Sequence, residues 1–295
     1  MKVSLLIWTI LLSFAYSKNM QTCIDGLLND LPCSSFHRCF GKIKSLNLHA
    51  HYMNPIVLIL YIKILIDNNA KENPNVILNN LSNGNGQSQS MSEVYFCYDD
   101  NYFVLQFISF NQSKYSQTAF EDCNDSVYNL DVVESFISTW ELNKNSSDGP
   151  YCYSEIDLSP FNKIYQAGIY NKNLNHTGIT NFPLDCATSG IRSRADVNPT
   201  NPSIWTTKIE IPWSVIVNPN GCPIATSSYH KETENTVVAI PNALRANFYR
   251  VNELSVSDGS KCSSSSCEYM AWSPTLSNPP AFHEPTKFGY LIRVD

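Results

Sequence analysis

Val94-Tyr-Phe-Cys-Tyr98, Asp99-Asp100-Asn101 and Tyr102-Phe-Val-Leu-Gln-Phe-Ile-Ser-Phe110 form the stretch that decides the fold. Aromatic and β-branched residues alternate on both sides of a short acidic turn, and Phe103, Leu105 and Phe107 fall on one side of an extended chain. Successive side chains of a strand point to opposite faces, so this pattern predicts a β-hairpin with one apolar face.

The same alternation recurs outward from there. In Asp131 to Ser138, the set Val133, Ser135, Ile137 and the set Val132, Glu134, Phe136 are both largely apolar, which predicts a central strand covered on two sides. Tyr151 to Leu158, Lys163 to Tyr170, Ile204 to Ile211, Leu244 to Val251 and Lys287 to Val294 complete the set, between connections rich in Pro, Gly and Asn. Pro212 closes the Ile204 strand, and Trp213 to Val217 reads as a helical turn. Many short strands with little 3.6-residue periodicity predict an all-β fold, an antiparallel β-sandwich with long loop insertions. The Asn-, Ser-, Gln- and Gly-rich segment 68–92 is expected to be a mobile loop. Segments 171–203 and 218–235 read as further loops, tied down by Cys186 and Cys222. One domain over 18–295 accommodates all of this.

The 295 residues are 43% hydrophobic and 16% charged, enough apolar material for a large core and too much for disorder. The net charge is −6 and no window concentrates Lys or Arg, which argues against nucleic acid as a partner. Residues 1–17 have Lys2, an apolar run and then Ala15 and Ser17, the layout of a secretory signal peptide. A second apolar run, Ile56 to Ile66, is too short to span a bilayer and is interrupted by Lys63, so it reads as a buried strand or short core element. Secretion without membrane insertion is therefore expected, with a monomer as the simplest state.

Ten cysteines without a Cys-x-x-Cys spacing favour disulfides in such a chain, with Cys262–Cys267 and Cys33–Cys39 close enough for local loops. Five sequons begin at Asn80, Asn111, Asn124, Asn145 and Asn175, each a candidate for N-glycosylation.

Three C-terminal blocks are the most specific: Leu244-Arg-Ala-Asn-Phe-Tyr-Arg-Val-Asn252, Ala271-Trp-Ser-Pro-Thr275 and Phe282-His-Glu-Pro-Thr-Lys-Phe-Gly-Tyr-Leu291. In this order they resemble the end of the family-9 carbohydrate-binding modules. Tyr98 to Leu105, Asp131 to Phe136, Trp205 to Trp213 and Cys23-Ile-Asp-Gly-Leu27 are similar to earlier blocks of that family. The likeness is weak over the Cys-rich part 18–92 and good after Leu244.

The resemblance implies a non-catalytic sandwich that holds a sugar, such as the end of a polysaccharide or oligosaccharide chain, between two aromatic side chains. Carried over by position, Tyr128 and Phe282 stand where the family has its two Trp residues. Glu134 matches the family's sugar-binding carboxylate. Glu155 stands where well-studied members carry Arg, and Tyr249 lies in the strand that supplies a polar contact. Similar modules bind Ca2+, so calcium is allowed as a cofactor, although no Asp-rich loop here has the spacing of a calcium loop. A pyranose has apolar C–H faces and a hydroxyl rim, which is why flat rings and edge carboxylates suit it.

Each residue also has a plainer reading. Tyr128 could be a loop aromatic, Phe282 core, and Glu134 an ion-pair partner of Arg245 or Arg250. Trp205, Trp213 and Trp272 read as core. His49 and His51 lack a third metal ligand nearby, and no hydrolase, phosphate-loop or dinucleotide motif is present. The enzymatic alternative is a glycosidase that pairs Glu134 with Glu155 or Asp157. A structural or adhesive secreted glycoprotein without a working site is the third reading.

Overall fold

The computed structural model describes residues 40–43, 74–112, 115, 122–139, 149–223, 240–254, 261–263 and 265–293. The expected leader 1–17, the run Ile56–Ile66, His49, His51, Asn145 and the expected Cys33–Cys39 loop lie outside the described residues.

Among the described residues, thirteen strands run in chain order: β1 (Phe40–Ile43), β2 (Val76–Asn80), β3 (Gln87–Tyr98), β4 (Tyr102–Phe110), β5 (Val132–Thr139), β6 (Cys152–Leu158), β7 (Ile164–Asn171), β8 (Ile179–Pro183), β9 (Arg192–Val197), β10 (Trp205–Pro212), β11 (Ala243–Glu253), β12 (Cys267–Ala271) and β13 (Gly289–Arg293). They form two sheets with every pairing antiparallel. One has five strands in the order β2-β3-β4-β10-β9. The other has eight, in the order β1-β13-β11-β5-β6-β7-β8, with β12 also pairing β11. β13 takes the first half of one edge of β11 and β12 the second half, opposite β5.

This is the expected all-β sandwich. Val94, Phe96 and Tyr98 of β3, with Phe103, Leu105 and Phe107 of β4, turn inward to meet Val133, Ile137, Ile156, Phe248 and Trp272 from the larger sheet. Phe248 sits amid Phe96, Phe107 and Trp272, with ring centroids 5.7–6.2 Å away. All eight residues of β5 are buried, as expected of a central strand. Pro212 ends β10 and leads directly into the short helix α1 (Trp213–Val217), whose indole donates to the Asp99 carbonyl at 2.8 Å.

Two predicted loops turn out to be structured. The segment read as a mobile loop over 68–92 contains β2 and the first part of β3. Its Asn-Gly-rich centre is the turn between them, with Gly84 and Gly86 at positive φ and Leu81 N–H bonded to the Gly86 carbonyl. The segment 171–203 contains β8 and β9. Both are edge strands, with alternately half-buried and exposed residues, so they need hydrogen bonds to one neighbour but few apolar side chains. The tethers expected at Cys186 and Cys222 are present as Cys123–Cys186 and Cys152–Cys222, and Cys262–Cys267 closes a local loop. Among the described residues no helix is long and apolar enough to cross a membrane.

Candidate functional site

A sandwich buries one face of each sheet, but here the eight-stranded sheet also covers its outer face. Val132 and Phe136 of β5, Tyr153 of β6, Tyr165, Ala167 and Ile169 of β7, and Tyr249 and Val251 of β11 form a second cluster there, joined by Phe282 and Phe288. Strand register fixes what lies across it. Tyr249 stands opposite Glu134, Glu134 opposite Asp157, and Asp157 opposite Tyr165. Directly opposed residues share a face, so this is one continuous row across four strands. The adjacent row is Asn247, Phe136, Glu155 and Ala167.

The two ends of the first row carry the predicted clamp aromatics. Phe282 stacks on Tyr249 with centroids 4.1 Å apart and planes 13° off parallel. Tyr128 meets Tyr165 edge to face at 5.2 Å and is 38% exposed. It sits in a 3-10 turn, Val127–Asn129, anchored by buried Val127. Three strand spacings of ~4.8 Å set the backbones of β7 and β11 about 14 Å apart, with Glu134 and Asp157 between them in the row.

The carboxylates of Glu134, Glu155 and Asp157 bring ligand oxygens within 4.8 Å of one another, and all three residues are buried. Burial drives their pKa values up because an ionised carboxylate loses hydration, and mutual repulsion adds to this at Glu134 and Asp157. Glu155 rises to about 8, the increase from burial being moderated by its contact with Asp157. No Lys or Arg pairs with these three among the described residues. The nearest basic ring is His283, whose Nε2 is 3.8 Å from Glu155 Oε2 and whose pKa burial lowers to about 4. Its Nδ1 is 2.7 Å from the Tyr153 hydroxyl.

The remaining predicted residues divide by role. Tyr249 is fully buried and its hydroxyl donates to the Phe282 carbonyl at 2.9 Å, so it holds the clamp ring in place. Phe282 is 9% exposed, and with one face on Tyr249 and Tyr269 at its side it offers a ligand at most one face. Arg245 and Arg250 leave Glu134 alone. Arg245 donates to the Phe288 and Pro285 carbonyls, and Arg250 crosses to the Met91 and Phe110 carbonyls of the other sheet. Asn247 exchanges two hydrogen bonds with Ser273. Alternate side chains of β11 thus fasten the segment 273–288, which explains physically why the three C-terminal blocks occur together.

Asp157 was singled out from sequence only as a possible acid partner, and Tyr165 was not singled out at all. Both follow from the register of β5, β6 and β7, which was not legible before pairing was known. Of the sequons, Asn124 donates its amide to the Leu184 carbonyl and accepts from Gln166 N–H, and Asn111 donates to the Gln89 carbonyl. Asn80 lies within β2, with Ser82 of its sequon 1% exposed. Asn175 keeps its amide nitrogen clear of such bonds, while its oxygen accepts from Thr177 N–H and Oγ1. A separate concavity of ≈ 280 Å³ opens beside α1, lined by Leu184, Ser214, Val215 and Asn220 among others, with neither rings nor carboxylates.

No family model matches the sequence. An extracellular protein of Arthroderma benhamiae is 30% identical over 122 residues, which is 39% of this chain and 51% of that protein. The chain thus spans about half the length of this curated relative. Among solved structures, a provisionally named carbohydrate-binding protein from Bacteroides uniformis is similar at 14% identity and a TM-score of 0.45, covering 82% of this chain and 93% of its own. A family-9 carbohydrate-binding module from Caldicellulosiruptor kristjanssonii in complex with cellotriose is similar at 13% identity and a TM-score of 0.39, covering 73% and 81%. The same organism's module in complex with glucose gives 12%, 0.40, 73% and 83%.

Proposed function

We propose that this chain is a secreted protein that binds carbohydrate without cleaving it, taking a sugar unit on the outer face of the eight-stranded sheet. The observation that carries the reading is the row Tyr249, Glu134, Asp157, Tyr165, with Phe282 and Tyr128 at its two ends. Apolar rings at the sides suit the C–H faces of a pyranose. Glu134 and Glu155 lie between them, and a carboxyl group whose burial keeps its proton, as the value of about 8 at Glu155 implies, both donates and accepts hydrogen bonds, as sugar hydroxyls do. The leader-like N-terminus, the disulfides Cys123–Cys186, Cys152–Cys222 and Cys262–Cys267 among the described residues and the extracellular relative support secretion. The Asn124 amide, engaged on both sides, argues that its sequon carries no glycan to crowd Tyr128. For the hydrolase alternative, oxygens within 4.8 Å fall short of the ~6.5–9.5 Å that an inverting glycosidase leaves for water and lie nearer the ~5–5.5 Å of a retaining one, so the assay for released sugar separates the two readings.

The test is titration with glucose, cellotriose and a glycan array, read by intrinsic fluorescence, together with an assay for released reducing sugar. Tyr128→Ala, Phe282→Ala and Glu134→Gln are each expected to weaken binding about tenfold or more, equivalent to ~1.4 kcal/mol. Unchanged affinity in all three removes the site from this face. Released sugar that is lost in Glu134→Gln replaces the binder with a glycosidase.

A further inference from the structure

Tyr269 is an aromatic side chain of the outer face that stands outside the row of Tyr249, Glu134, Asp157 and Tyr165. It packs there against the cluster that holds Tyr249, Val251 and Phe282. Of the five residues of β12 it alone is half-buried and the other four are buried, so the strand leaves open one ring and nothing else. The backbone beneath that ring is fixed on both sides. Tyr269 stands opposite Val251 of β11, and its carbonyl accepts from Ser82 N–H at 2.7 Å. Two residues earlier the Cys262–Cys267 bridge closes a short loop, and Cys262 N–H donates to the Asn129 carbonyl at 2.8 Å, in the turn that carries Tyr128. The supports of Tyr128 and Tyr269 are thereby tied together. Burial, and after it the charge of Glu134, raises the pKa of Tyr269, so its phenol lies within electrostatic reach of the row.

We propose that Tyr269 is a sugar-contacting residue that takes a second unit of an oligosaccharide, beside the unit held along the row. Resting on the carbohydrate-binding reading, this contact lengthens the bound sugar from one unit to at least two. A flat ring offers its face to the C–H side of one pyranose. The rings of Phe282 and Tyr269 are 5.9 Å apart and meet at 67°, so a single pyranose cannot lie flat on both. Phe282 has one face on Tyr249 and is 9% exposed, which leaves Tyr269 as the more open ring of the two. β12 lies one strand beyond β11, a step of ~4.8 Å away from Glu134, so contact at Tyr269 extends the site along the sheet. A ring already held by two backbone neighbours and a bridged loop loses little freedom when a sugar settles on it, which keeps the entropic cost of binding low.

The experiment titrates the full secreted chain with glucose and with cellotriose by calorimetry. The parent should bind cellotriose more tightly than glucose. Tyr269→Ala should weaken cellotriose about tenfold and glucose less than about twofold, so that the preference for the longer sugar is lost. That ratio separates a lost contact from a damaged fold, because misfolding lowers both affinities together. Tyr269→Phe keeps the ring face and should keep the cellotriose affinity within about threefold. Tyr128→Ala should weaken both sugars. Equal losses of both sugars in Tyr269→Ala, or no loss of either while Tyr128→Ala still weakens them, would overturn the second contact and leave the carbohydrate reading standing. Failure of the parent to bind either probe overturns the inference, and failure to bind any sugar of the glycan array overturns the carbohydrate reading with it.

Discussion

The outer faces of the two sheets differ in what they ask of sequence. On the five-stranded sheet β10 alternates strictly between buried and half-buried residues, and its outward Glu210 pairs with Lys208 and with the exposed Arg192. On the eight-stranded sheet the outward residues of β5 and β6 are as buried as the inward ones, and they include three carboxylates. A sandwich needs only the first arrangement to be stable. Covering a second face and leaving acids there without basic partners adds nothing to folding that leucines would not supply, and this contrast is what the proposed site on the larger sheet rests on.

The comparison can be broken most decisively by paired core truncations. Phe248→Ala in the sandwich interior and Phe136→Ala in the outer cluster should each cost ~3–5 kcal/mol in denaturant unfolding, since both rings are almost fully buried among other aromatics. A loss below about 1 kcal/mol for Phe136→Ala would mean that the outer cluster is a loosely covered surface and not a second core.

A pH series sharpens the contrast next. Glu155 holds its proton up to about pH 8 in the folded chain, against an ordinary value of 4.5. The folded state therefore binds the proton more tightly than the unfolded state does. The associated stability is complete below about pH 4.5 and is lost as pH rises through about 8. We expect Tm to fall between pH 5 and 9 by the equivalent of a few kcal/mol, about 1.4 per pKa unit, and Glu155→Gln to flatten the curve. A Tm that rises over this interval would contradict the buried acid cluster. The smallest effect belongs to the solvated face, where Arg192→Ala should change stability by no more than about 0.5 kcal/mol, because the ion pair with Glu210 is an exposed one.

The sequence made the central strands legible because residues in them face two environments and leave a two-residue period. Val133 and Ile137 against Val132 and Phe136 is one such pattern, and the Tyr98–Tyr102 hairpin is another. It hid β8 and β9, where Thr180, Asn181, Arg194 and Asp196 stay exposed while the backbone pairs with one neighbour. In 81–87 the glycines that read as part of a mobile loop form a tight turn. The site was legible in pieces. Glu134, Glu155, Tyr128 and Phe282 could be named one by one, but the row that joins them depends on which residue of β5 faces which residue of β6. Tyr249 illustrates the limit, since its place in the strand was readable while its hydrogen bond to Phe282 belongs to tertiary packing.

The Cys123–Cys186 and Cys152–Cys222 bridges overlap along the chain. A cut between 152 and 186 leaves two fragments joined by both bridges, and a cut elsewhere between 123 and 222 leaves them joined by one. A protease that nicks the Tyr128 turn or the β7–β8 connection therefore cannot release a fragment, and the four strands that carry the aromatic and acidic row remain one covalent body.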